Sequence, residues 1–292
     1  MNHIRHQHRH SRSCLQRLNL LPPNQRRSEA CPGMKIIRSR DNPFYKEIAR
    51  LSGSARQRHK SNQTLLDGAH LLNAYLDSGN RPCHILLNAA ASDDAEIAGL
   101  LQRTTAVPMT RLDAKLFAGL SELKTPSGII SLIDVPQSAA VSDTDFSLLL
   151  EDIQDPGNLG SILRSAAAAG CDAVFLSPGC ADAWSPKVLR AAMGGHFVLH
   201  VYEQQDLTMV AKSFRGALLA TSPKAACNLY DCDLRGDVAF LIGNEGAGLS
   251  DRLSDLATQK ISIPMSGSAE SLNVAAATAI CLFEAVRQRR GL

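Results

Sequence analysis

ISIPMSGSAESLNVAAATAICLFEAVRQRR, residues 261–290, is the stretch whose reading decides the fold. A short apolar run ends at Pro264. A loop of small residues follows, and a long Ala-rich helix is expected to begin near Ser271. Loops at strand ends are where open α/β sheets bind their ligands. Two earlier stretches answer this one: EDIQDPGNLGSILRSAAAAG at 151–170 and LIGNEGAGLS at 241–250. The three are expected to meet in one site.

Working outward, the C-terminal half carries six short apolar runs: SLLLEDI, AVFLSP, FVLHVYE, ALLATS, VAFLIG and KISIPM. Short, nearly continuous apolar runs suit parallel strands buried on both faces. Helical segments lie between them: LGSILRSAAAAG, SPKVLRAAMGG, DLTMVAKSFRG and LSDRLSDLA. Alternation of this kind predicts a doubly wound α/β domain over residues 147–292. PQSAAVSDTD, small and polar, reads as a linker over residues 136–146.

Residues 34–135 have a different texture. The pattern predicts a helix from Pro43 to about Arg58, with proline at its first turn. TLLDG is a strand, AHLLNAYLDSG a helix ending at Gly79, HILLN a strand, AEIAGLLQRT and AKLFAGLSEL helices, and GIISLIDV a closing strand. This is a smaller α/β domain. Its basic residues concentrate early, at Lys35, Arg38, Arg40, Lys46, Arg50, Arg56, Arg58 and Lys60. They suit phosphate contacts or a merely solvated helix face.

The 292 residues carry a net charge of only +3, unevenly spread. Residues 1–33 hold six arginines against one acid, Glu29, so the rest is slightly acidic. A basic tail attracts RNA or anionic surfaces, but the plainer reading is a disordered, solvated extension. Met34 reads as a second start. His3, His6, His8 and His10 resemble a metal tract without an ordered scaffold, and no metal is expected. The eight cysteines show neither CxxC pairing nor a disulfide framework, which suits a reducing cytoplasm. No apolar run approaches the ~20 residues of a membrane span. The N-terminus lacks a signal peptide's apolar core.

Asn158 is placed to cap the helix that follows Asp155-Pro156-Gly157. Gly160 and Arg164 share a face of that helix. Side chains lean toward a helix's N-terminus, so Arg164 can reach back to the strand-end loop. It is either stem-packed with its head in water or held to meet an anion or a hydroxyl. Gly243, Gly246 and Gly248 let the backbone bend sharply or approach a ligand. The loop is neither a Walker motif nor GxGxxG, which argues against a phosphate-gripping site and a Rossmann-type dehydrogenase. Glu245 within it is a solvated turn acid or the partner of a cation, with Arg164 the candidate. Ser271 reads as the N-cap of the last helix with Asn273 in its first turn, or both face a ligand beside the strand-end loop.

NLGxxxRxxxxxG, IGNEGxGL and IPMxGxxxSLNVxxAxAI, in this order, resemble the SpoU/TrmH family of RNA ribose 2′-O-methyltransferases from Leu148 to about Arg287. Residues 34–135, ending in KTPSGIISLI, look like the ribosomal-protein-like substrate-binding domain found ahead of such enzymes. The resemblance implies a SPOUT fold with a deep trefoil knot, homodimers with sites at the interface, and S-adenosyl-methionine bound in a bent shape. Thr221, Leu241, Gly243, Ile261, Ile263, Pro264, Met265 and Leu272 then hold the adenosine. Arg164 matches the activator of the ribose hydroxyl, and Asn158, Glu245, Ser271 and Asn273 match the other polar motif residues. The family often has Ser where this chain has Ala275, a difference expected to alter packing rather than abolish activity. The implied substrate is ribosomal RNA of the 23S type. A tRNA methyltransferase and a non-catalytic RNA-binding or ribosome-assembly protein are the alternatives.

Overall fold

Strands buried on both faces shape the C-terminal lobe. The computed structural model describes residues 36–89, 94–123, 126–138, 144–268 and 270–291. The expectations for residues 1–33 and Met34 lie outside these, as does the middle of the linker, 139–143.

Seven strands form the larger sheet: β6 (Phe146–Leu150), β7 (Ala173–Leu176), β8 (His200–Tyr202), β9 (Ala217–Thr221), β10 (Cys227–Asn228), β11 (Val238–Ile242) and β12 (Gln259–Ser262). Their order is β10-β12-β9-β11-β6-β7-β8, and every pairing is parallel. All six runs read as strands contain one. FVLHVYE keeps only its last part, because Gly195–Phe197 forms a 3-10 turn first. Phe146, Leu148 and Leu150 of β6 and Phe240 of β11 face one core, which also holds Leu159, Ile162, Leu189 and Leu282. Leu149, Ala239 and Leu241 face the other, with Leu207, Ala211 and Leu253. Those helical residues belong to α6 (Pro156–Ala169), α7 (Pro186–Ala192) and α10 (Val274–Arg289) on one side. On the other they belong to α8 (Leu207–Ser213) and α9 (Asp251–Ser254). A parallel sheet whose crossovers are helices must be covered this way.

The helices approach closely where residues are small. A Cβ at Gly160 would lie 2.7 Å from the Val188 carbonyl oxygen, so only glycine lets α6 and α7 meet there.

The N-terminal lobe has a five-stranded mixed sheet: β1 (Ile36–Ile37), β2 (Gln63–Asp67), β3 (His84–Asn88), β4 (Met109–Leu112) and β5 (Ile129–Asp134), ordered β1-β4-β3-β5-β2. β5 runs antiparallel to both its neighbours. β1 and β4 were not expected: a two-residue strand has no period, and MTRL carries a charge. The helix expected over 43–58 is two, α1 (Pro43–Gly53) and α2 (Ala55–Ser61). Ser54, in an extended conformation, ends the first with its N–H and caps the second with its side chain, the competition with helix that serine favours. α3 (Ala69–Asp77), α4 (Ala95–Arg103) and α5 (Ala114–Ala118) complete the lobe.

The lobes share a seam. Leu66, Leu71, Tyr75 and Ile133 join the core of the larger lobe. Arg58 is buried and forms an ion pair with Asp182 at 2.6 Å. Its other nitrogen donates to the Leu51 carbonyl at 2.6 Å, so this member of the basic cluster is a strut and not a solvent-facing contact. The Thr64 hydroxyl donates to the Trp184 carbonyl at 2.6 Å. No helix among the described residues is long and apolar enough to cross a membrane.

Candidate active site

Because all seven strands are parallel, their C-terminal ends lie along one edge, where α/β sheets bind ligands. The segments leaving β9, β11 and β12 enclose a cavity of about 930 Å³ there. Of the residues expected to hold a cofactor, Thr221, Gly243, Ile261, Ile263, Met265 and Leu272 line it. Leu241 and Pro264 do not. Leu241 is fully buried and its carbonyl accepts from the Thr221 hydroxyl at 3.2 Å, while Pro264 is exposed between two lining neighbours. Asn158, Glu245, Ser271 and Asn273 also line the cavity.

A chain of side-chain hydrogen bonds joins the three stretches. Asn273 Nδ2 donates to Asn158 Oδ1 at 2.9 Å. Asn158 Nδ2 donates to Glu245 Oε1 at 3.1 Å. Asn273 Oδ1 meanwhile accepts from the Ala275 and Ala276 amides, so it caps α10. Both caps differ from expectation. α6 is capped by Asp155, whose carboxylate accepts from the Asn158 amide at 2.8 Å. With Pro156 at the first helical position, Asn158 falls three positions past the cap, and its side chain is free for the relay. Ser271 lies two residues before the actual cap of α10 and is exposed.

Arg164 stands apart. It is exposed, does not line the cavity, and makes no hydrogen bond or ion pair with the described residues. The expected pairing with Glu245 is absent, since Asn158 holds that carboxylate. Six residues separate Arg164 from Asn158, about 9 Å along the helix axis, more than its backward lean covers here.

Two further residues of the motif stretches, Glu151 and Asn244, hold the loop. Glu151 accepts from the Ser250 amide and the Ser250 hydroxyl, both at 2.7 Å. Asn244 Nδ2 donates to the Asp152 carbonyl at 2.8 Å, and its Oδ1 accepts from the Gly246 and Ala247 amides. Together they fasten the glycine loop to the end of β6. Gly243 has no room for a side chain against the Gly248–Leu249 backbone. Ser222, Pro223, Lys224 and Lys260 also line the cavity. The first three follow ALLAT directly, and the strand-end rule applied to that run would have found them.

Among the described residues one group of metal-capable side chains gathers, His59, Asp182 and Glu203 at the lobe seam. Asp182 there is already engaged by Arg58.

Residues 145–283 match the SpoU rRNA Methylase family, and residues 42–131 match the MRM3-like substrate binding domain. The chain is 32% identical over 86% of its length to the 23S rRNA (guanosine(2553)-2′-O)-methyltransferase RlmP of Bacillus subtilis, covering 98% of that protein. It is 30% identical over 90% of its length to the 23S rRNA (uridine(2479)-2′-O)-methyltransferase of Streptomyces viridochromogenes, covering 96% of that protein. The crystal structure of the SpoU methyltransferase AviRb from Streptomyces viridochromogenes with AdoMet superposes with a TM-score of 0.78 at 29% identity, over 85% of this chain and 98% of that one. The chain belongs to the SpoU rRNA methylase family.

Proposed function

We propose that the protein transfers a methyl group from S-adenosyl-methionine to a ribose 2′-hydroxyl of ribosomal RNA of the 23S type. The observation that carries the reading is the Asn273–Asn158–Glu245 chain at a cavity walled by three strand-end loops. The residues present fit the cofactor. Ile261, Ile263, Met265 and Leu272 offer an apolar wall, and a glycine loop brings backbone close to the opposite side.

The bound cofactor supplies an already electrophilic methyl, so the protein's tasks are placement and handling of one proton. A ribose hydroxyl is a weak nucleophile near neutral pH, and a cation beside its oxygen lowers the barrier as negative charge develops. Arg164 takes that role through its guanidinium. Asn158, Glu245, Ser271 and Asn273 set the shape and polarity of the cavity mouth. Leu241 and Pro264 contribute through the backbone and neighbours they fix.

Arg164 reaches the site from a second copy of the chain in this reading. The protein is a homodimer joined through the outer face of α6 and α10. Phe283 of α10, 47% exposed, is the apolar anchor. The C-terminal segment forms a trefoil knot. In support, Thr221 and Cys227 both pair with Ile261, one on each side, so residues 222–226 bridge over β12. Such threading is among the rare exceptions to unknotted topology. Residues 34–135 select the RNA, presenting Arg38, Arg40, Arg50 and Arg56, all exposed. The enzyme works in the cytoplasm.

Tritium transfer from labelled cofactor into total RNA, with mapping of the modified ribose, tests the reading. Label on a single 23S rRNA ribose is the expected result. Label on tRNA alone, or none, rejects it.

A further inference from the structure

Beside the cavity, a thiol on the outermost strand touches one just past the turn that follows it. Cys227 Sγ lies 3.5 Å from Cys232 Sγ. Both approach the Asn228 carbonyl oxygen, at 3.6 and 3.4 Å. The turn Leu229–Asp231 holds them there. It is capped by the Asn228 side chain, which accepts from the Tyr230 amide at 3.0 Å. The Cys232 end is tied to α10: Gln288 donates to the Cys232 carbonyl at 3.0 Å and accepts from the Leu234 amide at 2.9 Å. Cys227 is half-buried and Cys232 buried, so a small oxidant meets Cys227 first.

We propose that Cys227 and Cys232 form a reversible disulfide that adjusts the methyl-donor cavity. The oxidant is a hydroperoxide. The Cys227 sulfur attacks one peroxide oxygen, an S–O bond forms, the O–O bond breaks, and one water leaves. The Cys232 sulfur then attacks the Cys227 sulfur and displaces its oxygen, which departs as a second water with the Cys232 proton. Two thiols lose two electrons in all, and one hydrogen peroxide becomes two waters. A dithiol reverses the step. Burial, and then the Cys227 sulfur beside it, push the Cys232 thiol up to about 11. That suits Cys232 to resolve a partner that has reacted rather than to react first.

The link to the cavity is geometric, and it rests on the cavity being the cofactor site. A disulfide bond is about 2.0 Å long, so the sulfurs must close by roughly 1.5 Å. Cys227 ends the bridge of residues 222–226, whose other end is Thr221, and Ser222, Pro223 and Lys224 of that bridge line the cavity. Ser262 donates from its hydroxyl to the Cys227 carbonyl at 3.1 Å, so β12 moves with it. Neither Cys171 nor Cys281 has this arrangement. Both are buried, and burial pushes both thiols up to about 12.

The test uses the full chain treated with hydrogen peroxide. Residues 225–235 fall in one tryptic peptide containing both cysteines. In unreduced digests that peptide should become about 2 Da lighter, and a dithiol should restore it. Cys232→Ser should instead leave oxygen adducts on Cys227. Calorimetry with S-adenosyl-methionine should show affinity weakened roughly tenfold by oxidation and recovered on reduction. Oxygen adducts on Cys227 in the unsubstituted protein, with no lighter peptide, overturn the disulfide. A lighter peptide with unchanged affinity overturns its coupling to the cavity. Reduced protein that binds no cofactor rejects the methyltransferase reading instead, and the mass shift still decides the disulfide.

Discussion

The two sheets dispose of their strand ends differently. In the seven-stranded sheet every strand points the same way, so the loops leaving β6, β9, β11 and β12 fall on one edge. Three motifs far apart in sequence meet there through two side-chain amides. In the five-stranded sheet β5 runs against its neighbours, so strand ends are shared between two edges. The smaller lobe shows basic side chains on its surface, and one of them, Arg58, is turned inward to hold the seam. A uniform strand direction gathers distant loops on one edge, and a mixed one divides them between two.

The largest expected effect tests where the chemistry resides. Arg164→Ala should lower the rate of methyl transfer by about 100- to 1000-fold, the cost of removing a group that stabilises developing charge. Cofactor affinity by calorimetry should stay level, because Arg164 does not line the cavity. A variant with near-normal single-turnover rates removes Arg164 from the mechanism. Arg58→Ala probes the seam instead. It leaves Asp182 buried without its cation, a loss of about 3–5 kcal/mol readable by urea denaturation. Replacing both partners with apolar residues, Arg58→Met with Asp182→Leu, should recover most of that. If the single variant is as stable as the parent, the seam does not depend on this pair.

A smaller effect separates loop placement from chemistry. Glu151→Ala frees Ser250 and should raise the cofactor dissociation constant by about tenfold, equivalent to about 1.4 kcal/mol. The KM for RNA should not move. An unchanged dissociation constant would mean that Asn244 alone fastens the loop.

The strands of the larger sheet were legible because parallel strands buried on both faces leave continuous apolar runs, and VAFLI or ALLAT admits few other readings. Loops were legible where they carry motifs. Position within a cap was not. Asp155, Asn158, Ser271 and Asn273 are all competent caps, and the choice follows from where Pro156 and Val274 begin their helices. The Glu151–Ser250 contact joins residues 99 positions apart, and no local pattern records it. Arg58 reads as one of a basic cluster, because only the docking of a second lobe buries it. β10, two residues long, exists because β12 lies beside it.

The smallest effect again sets lobe against lobe, since each buries one neutral histidine. His84 lies against Thr110 in the smaller lobe, 2.9 Å from its hydroxyl. His196 donates from Nε2 to the Ala183 carbonyl at 2.7 Å. In both, Nδ1 is buried without a partner, and burial pushes both rings down to about 4. The unfolded chain takes up these protons near pH 6.5, whereas the folded chain refuses them until about pH 4. Stability is therefore full above pH 6.5 and falls as pH drops toward 4, by about 1.4 kcal/mol per pH unit for each ring. Glu203 acts in the opposite sense. Burial first, with Asp182 adding to it, raises its carboxyl, so its contribution is present at low pH and lost as pH rises through the folded value. Glu203→Gln removes that offset. The only tryptophan, Trp184, packs on His196 with ring centroids 4.9 Å apart, so its fluorescence reports the larger lobe at the seam. Urea midpoints at pH 7.5 and 5.5 should differ less in His196→Leu than in the parent, and His84→Leu should flatten the same difference when unfolding of the smaller lobe is followed. A His196→Leu variant with the parent's full pH dependence would place the titrating group elsewhere in that lobe.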